Sequence, residues 1–316
     1  MRIEELPSEL LIYIFSFIRP QDLLQGWTKL NTHINSILRS TFISIRINDD
    51  EDWKNNFPAL QYFSSQIVYL KDERLSPKNE IDLRSFENIR SIYLTDYSSK
   101  QCENINPQNH PYLTHCYCSP LSWSFYQRIL FAQDRFLHLE SIGCPRGGSI
   151  LLLNSNPSPN PTIRHFRLTS ASSEIISRFV RYLPHVISLN IDCLYNDTST
   201  SVTPLNNRMI RHLTIGYTCL SCTDFDRFLS CIGYDNLIEV RLSFHTCHFE
   251  QLADILPKMS SLKRFQLRVY KIPSIFDLIS NRLLSPWFTS LDYEDIIHNG
   301  QQQRILSMKT TSEQLD

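Results

Sequence analysis

The sequence predicts an α/β chain, in which a short all-helical module is followed by a stack of strand-plus-helix coils. Three observations carry that reading. A triplet of the form apolar-x-x-apolar-x-apolar recurs along most of the chain, amphipathic helical stretches lie between its later copies, and the opening segment has helix signals but no such triplet.

The module comes first in the chain. Pro7 and Ser8 are helix start signals, and Glu9 complements the positive end of the helix dipole. The first helix is expected to run to about Phe17 or Ile18, with Pro20 stopping it. A second is expected from about Gln21 to Leu30 and a third from about Thr32 to Arg39. The first helix is apolar nearly all round: Leu11, Ile14, Phe15 and Ile18 form one stripe, and Leu10, Tyr13 and Phe17 another. Two short helices can cover only one stripe, and a domain of about 40 residues is marginal alone. The remaining stripe therefore calls for a partner or for the rest of the chain.

The repeat follows. Phe42, Ile45 and Ile47 open it, and a weak copy ends in Val68 and Leu70. Then come Ile89-Ile92-Leu94, Leu113-Cys116-Cys118 and Leu139-Ile142-Cys144, and the later copies are clearer: Ile163-Phe166-Leu168, Val186-Leu189-Ile191, Ile210-Leu213-Ile215, Leu237-Val240-Leu242 and Leu262-Phe265-Leu267. Phe288, Leu291 and Tyr293 form a last one. From Ile89 on, the first members are spaced by about 23 to 27 residues. Each triplet reads as a short strand with alternate side chains facing inward, and one strand cannot bury its own face. Stacked coils can, with their strands paired in parallel. Helices are expected at Ser173 to Leu183, Thr223 to Ile232, Phe249 to Met259 and Ser274 to Leu284. The stretch from about His298 to Asp316 is polar and reads as a disordered tail or a short cap.

Two resemblances follow from these motifs. The run Leu6-Pro7-x-x-Leu10-Leu11, then Ile14-Phe15-x-x-Ile18, then Asp22-Leu23-Leu24, resembles the F-box over residues 2–41. It departs from that family in its third helix, where Asn31-Thr32-His33-Ile34 stands in the region that usually holds a tryptophan. The strand-plus-helix coils resemble the horseshoe-forming leucine-rich repeats, without their asparagine ladder. The resemblance implies an F-box at 1–41, a leucine-rich-repeat-like solenoid at 42–297 with parallel strands on its concave face and helices or loops on its convex face, and a tail at 298–316. It further implies a non-catalytic substrate-recognition subunit of a Skp/cullin/F-box-type ubiquitin ligase. The family's contacts to the Skp-family adaptor, and through it to a cullin, fall on Leu6, Pro7, Leu10, Leu11, Ile14, Ile18, Leu23 and Leu24. The alternative is a repeat scaffold for protein interactions whose first helix only caps the core.

Outward strand positions would line the concave face. They include Arg164, His165, Arg167, Arg211, His212, Glu239, Arg241, Lys263, Arg264 and Arg268, with Tyr93 and Tyr117 further towards the N-terminus. Arginine reads carboxylate and phosphate bidentately, so Arg164, Arg167, Arg211, Arg241, Lys263 and Arg264 are the candidate contacts to an acidic or phosphorylated protein substrate. The competing reading is ordinary solvated charge, paired along the strands with Glu239 and Asp292.

Other chemistries find little support. Only 7 glycines and no phosphate-cradling motif argue against nucleotide binding. A formal net charge of -1 gives no reason to expect nucleic acid or an anionic membrane as partner. The run from Leu10 to Ile18 is shorter than the roughly 20 residues a membrane span needs. Nine cysteines, odd in number and irregularly spaced, read as reduced thiols of a cytoplasmic or nuclear protein. Cys219, Cys222, Cys247 and His248 could approach one another as zinc ligands, but small buried cysteines more often fill repeat cores, so no metal and no cofactor are expected. No H-E-x-x-H or G-x-S-x-G motif marks a catalytic centre.

Overall fold

The computed structural model describes residues 3–74, 81–95, 97–119, 123–130, 136–144, 159–195, 209–218, 220–271, 278–298 and 301–311. The chain divides into two compact units, Met1–Gly143 and Cys144–Asp316.

The first unit opens with α1 (Ser8–Ser16), α2 (Pro20–Gly26) and α3 (Thr32–Ser40). Leu11 and Phe15 of α1, Leu23 of α2, and Ile34, Ile37 and Leu38 of α3 are buried; α1 packs against α3, and α2 packs against the strand and helix that follow α3. The Asn31 side chain caps α3 by accepting the Ile34 N–H at 2.8 Å. The second helix stops at Gly26, short of the expected Leu30. The backbone turns through Lys29, which takes a positive φ of 68°, and the Trp27 ring is drawn against Phe15 with centroids 5.0 Å apart. That aromatic contact wins over one more turn of helix.

β1 (Ile43–Ile47) and α4 (Asp50–Tyr62) follow, α4 being capped by the Asp49 carboxylate on the N–H groups of Glu51 and Asp52. β2 (Ile67–Asp72), β3 (Ser91–Thr95), α5 (Ser99–Cys102), β4 (His115–Ser119), α6 (Trp123–Leu130) and β5 (Ser141–Cys144) complete this part of the chain. β1 to β5 pair in parallel, each with the next in sequence. Ile92 and Leu94 of β3, Cys116 and Cys118 of β4 and Ile142 of β5 are buried, as the triplet reading requires. Tyr126 of α6 ties its helix to the strands by donating to the carbonyls of Cys118 at 2.7 Å and Gly143 at 2.6 Å.

The two weakest triplets depart from expectation, the first only at its first place, where Ile45 and Ile47 are buried as expected, and the second in phase. In β1 the buried residues are Ile43, Ile45 and Ile47, while Phe42 is 57% exposed. In β2 they are Ile67, Leu70 and Asp72, and Val68 is only half-buried. A carboxylate thus occupies the third apolar place of this coil. It is tolerated because the Arg74 guanidinium meets it at 2.7 and 3.0 Å and the Tyr97 hydroxyl donates to it. The Arg74 guanidinium also lies 4.2 Å from the centroid of the Trp53 ring. Burial, reinforced by the neighbouring Asp72 charge, pushes the Tyr97 phenol well up, so it stays a donor.

The second unit holds β6 (His165–Ser172), α7 (Ser173–Tyr182), β7 (Ser188–Tyr195), β8 (His212–Thr218), α8 (Cys222–Ile232), β9 (Glu239–Phe244), α9 (Phe249–Ile255), β10 (Arg264–Val269), α10 (Leu278–Leu283), β11 (Asp292–His298) and β12 (Gln301–Thr311). β6 to β10 pair in parallel in sequence order, and every apolar triplet from Ile163 to Leu267 is buried. Ser172 and Ser221 cap α7 and α8. The end of the chain is not a featureless tail. β12 lies between β10 and β11, antiparallel to both, and buries Ile305, Leu306 and Met308. Phe288 and Leu291 are buried as expected, but Tyr293 is exposed, because β11 turns into an antiparallel pair instead of continuing the coil. A strand laid across the last coil shields apolar edges that a further coil would otherwise have to cover.

Candidate functional site

Two surfaces, one in each unit, hold the residues that the sequence singles out. The first is α1. Its inner stripe is spent on the module's own core, with Leu11 at 0% and Phe15 at 1% exposure. Its outer stripe is uncovered: Leu10 is 43% exposed, Tyr13 63% and Phe17 72%. Tyr13 and Phe17 pack edge to face, centroids 4.8 Å apart, so the ridge is partly preorganised. Ile3 and Leu30 are also exposed apolar residues of this segment. Apolar area of this kind is worth about 25 cal/mol per Å² when a partner removes it from water.

The expected adaptor contacts therefore separate. Pro7 and Leu10 are exposed, and Leu6, Ile14, Ile18 and Leu24 are half-buried. Leu11 and Leu23 are buried. Tyr13 and Phe17, which the family pattern does not mark, are the most exposed apolar side chains of α1. Their signal was in the sequence, as members of the second stripe.

The second surface is the outward face of β6 to β10. Here the structure separates the six candidate cations into two groups. Arg167 pairs with Asp192 at 2.9 Å. Glu239 gathers Arg241 Nε at 2.7 Å, Arg264 Nη2 at 3.2 Å and His212 Nδ1 at 3.5 Å. Burial would raise the Glu239 pKa, but the Arg241 hydrogen bond and the charges of Arg241, Arg264 and His212 outweigh it and hold the carboxyl below its usual range. Arg268 lies 3.5 Å from Glu294, while Asp292 lies 4.0 Å from Arg282 and not from the ladder. Arg164, Arg211 and Lys263 have no ion-pair partner among the described residues. The face is thus less basic than a count of arginines suggests. Gly216 of β8 lets the backbone come close here, since a Cβ would sit 3.0 Å from the Asp192 carbonyl oxygen.

Tyr93 and Tyr117 stand outward on β3 and β4 of the first unit and stack, centroids 4.4 Å apart and planes within 8°. Lys71 Nζ sits 5.2 Å from the Tyr93 centroid, and Tyr117 fills the space that a side chain at Gly143 would need.

Cys219 lies outside the described residues. Cys222 and Cys247 are buried, and the Cys222 thiol faces the His248 carbonyl at 3.6 Å. A hydrogen bond from Cys247 lowers the Cys222 thiol to about 6. Among the described residues no three His, Cys, Asp or Glu side chains are grouped to hold a metal ion, and no helix is long and apolar enough to cross a membrane.

No family model matches the chain, and no curated protein matches it.

Proposed function

We propose that the chain is the substrate-recognition subunit of a Skp/cullin/F-box-type ubiquitin ligase. The helical module would dock the Skp-family adaptor, and the coils would hold the protein substrate. The observation that carries the proposal is the uncovered apolar stripe of α1, Leu10, Tyr13 and Phe17, in a segment whose sequence resembles the F-box. A helix that has already buried Leu11 and Phe15 has no internal use for a second apolar stripe. The contribution of such a subunit is proximity, raising the effective concentration of a substrate lysine at a recruited enzyme.

Co-expression with a tagged Skp-family adaptor tests this. The wild-type chain is expected to co-purify, and Leu10→Ala/Tyr13→Ala/Phe17→Ala to remain folded and be lost from the complex. A folded wild-type chain that the adaptor does not retain would overturn the proposal in favour of a repeat scaffold whose first helix only caps the core.

A further inference from the structure

Along one rim of β6 to β10, each coil presents the residue that follows its first buried apolar position. In order these are Arg164, Ile187, Arg211, Ile238 and Lys263. They are direct neighbours. The N–H of Ile187 donates to the Arg164 carbonyl, that of Arg211 to Ile187, that of Ile238 to Arg211 and that of Lys263 to Ile238, each at 2.8 Å. The row therefore alternates cation and isoleucine across five coils, with both isoleucines half-buried. Strands lie about 4.8 Å apart, so successive cations are about 9.6 Å apart.

Among the described residues, their lack of an internal ion pair distinguishes these cations from Arg167, Arg241, Arg264 and Arg268, each of which faces a carboxylate. The outer flank of the row is Thr162, His185, Met209, Asn236 and Ser261, with no acid. On the inner flank the acid is Glu239, already engaged by two arginines. Three regularly spaced charges without a counter-ion among the described residues, set between apolar side chains, are complementary to an external anion of the same period.

From this we infer that the row is a docking track for an extended acidic protein segment in the polyproline II conformation, with a carboxylate at every third residue and apolar side chains between. That helix repeats every three residues and rises about 9.3 Å per turn, so every third side chain returns to one face within about 0.3 Å of the cation spacing. A β-strand presents alternate residues at about 6.6 Å and falls out of step at the second cation. An α-helix would need seven residues per interval and drift by about 0.9 Å each time. One cation per interval matches the single charge of a carboxylate; a phosphoryl group of about −1.5 to −2 calls for a cluster. The track names the substrate class for the receptor proposed above and takes its biological meaning from that reading, but the binding itself needs no adaptor.

The test is fluorescence anisotropy of the full chain with three synthetic probes. One repeats Asp-Pro-Ile three times, the second is its isomer with the three aspartates contiguous, and the third carries phosphoserine for aspartate. The in-phase aspartate peptide is expected to bind about tenfold tighter than the isomer, and Arg211→Glu or Arg211→Gln to abolish that preference, while Arg227→Gln, an exposed arginine of α8, stays within about twofold. Equal affinity for the two isomers, or an unchanged preference in both Arg211 variants, would overturn the track. Tighter binding of the phosphoserine peptide would overturn its assignment to carboxylates. Adaptor capture is scored on separate samples. Peptide preference without capture sinks only the receptor reading, and capture without peptide preference sinks only the track.

Discussion

At the third apolar place of the second coil the repeat pattern asks for a residue such as Leu, and the protein has Asp72. The equivalent places in neighbouring coils hold Ile47, Leu94 and Cys118, all buried. Pattern alone would make Asp72→Leu stabilising. The structure reverses the sign. Arg74 has only 2% of its side chain exposed and meets Asp72 at 2.7 Å, so leucine would leave a guanidinium buried beside Trp53 without its main anion. Asp50, 3.7 Å from Arg74 Nη1, is 68% exposed and too well solvated to replace it. Breaking a buried pair from one side costs about 3 to 5 kcal/mol. With an m-value of about 2 to 3 kcal/mol/M, the urea midpoint should fall by about 1 to 2.5 M. Asp72→Leu/Arg74→Met removes both charges and should recover most of the loss, since buried ion pairs replaced by apolar groups of similar volume are often neutral. Urea unfolding of the wild type, both single variants and the double variant, followed by circular dichroism and tryptophan emission, closes the cycle. A single Asp72→Leu variant as stable as the wild type would refute the reasoning.

Three further outcomes follow from particular contacts. Leu11→Ala should cost about 2 to 5 kcal/mol because Leu11 is fully buried, whereas Leu10→Ala, at 43% exposure, should move the thermal midpoint little while weakening adaptor capture. Gly143→Ala places a Cβ 2.0 Å from Tyr117 Cδ2, so it should destabilise by about 1 to 3 kcal/mol; adding Tyr117→Ala should relieve that cost in the same thermal scan. Glu239 has a folded-state pKa below its ordinary value of 4.5, so its stabilisation is present above that value and is lost as the pH falls through the depressed one. Urea titrations at neutral and acid pH should therefore show Glu239→Gln less stable than wild type at neutral pH, with the gap closing as the wild type is acidified.

Much of the architecture could be read from the chain because the repeat's physics is local. From Ile163 to Leu267 the apolar triplets are all buried, and α7, α8 and α9 lie between strands where the pattern places helices. Phase was lost where a local cue was outvoted. Phe42 looked like a core residue, but Ile43 holds that place, and Phe42 instead lies under Arg90, 5.2 Å from its guanidinium carbon. Asp72 was invisible as a core residue because Arg74 lies two residues on, past the end of β2, and Tyr97 past the end of β3, and no single-position rule brings the three together. β12 escaped notice because Gln301 to Thr311 alternates too weakly to announce a strand until β10 and β11 are there to pair with it. On the candidate surfaces, sequence pattern gave the right faces but could not sort them. Whether an arginine is spent on Asp192 or Glu239, or whether Leu10 or Leu11 looks outward, is decided by helix rotation and strand register.

The most direct test of the receptor reading is a calorimetric titration of the purified full chain with a purified Skp-family adaptor. The wild type should bind with micromolar or tighter affinity, and Leu10→Ala/Tyr13→Ala/Phe17→Ala should bind about 100-fold more weakly, as loss of a central apolar ridge does. Arg211→Glu, remote from that ridge in sequence and in the other unit, should bind as the wild type does. No heat of binding from a folded wild-type chain, or equal affinity for the triple variant, would contradict the assignment of α1 as the docking element.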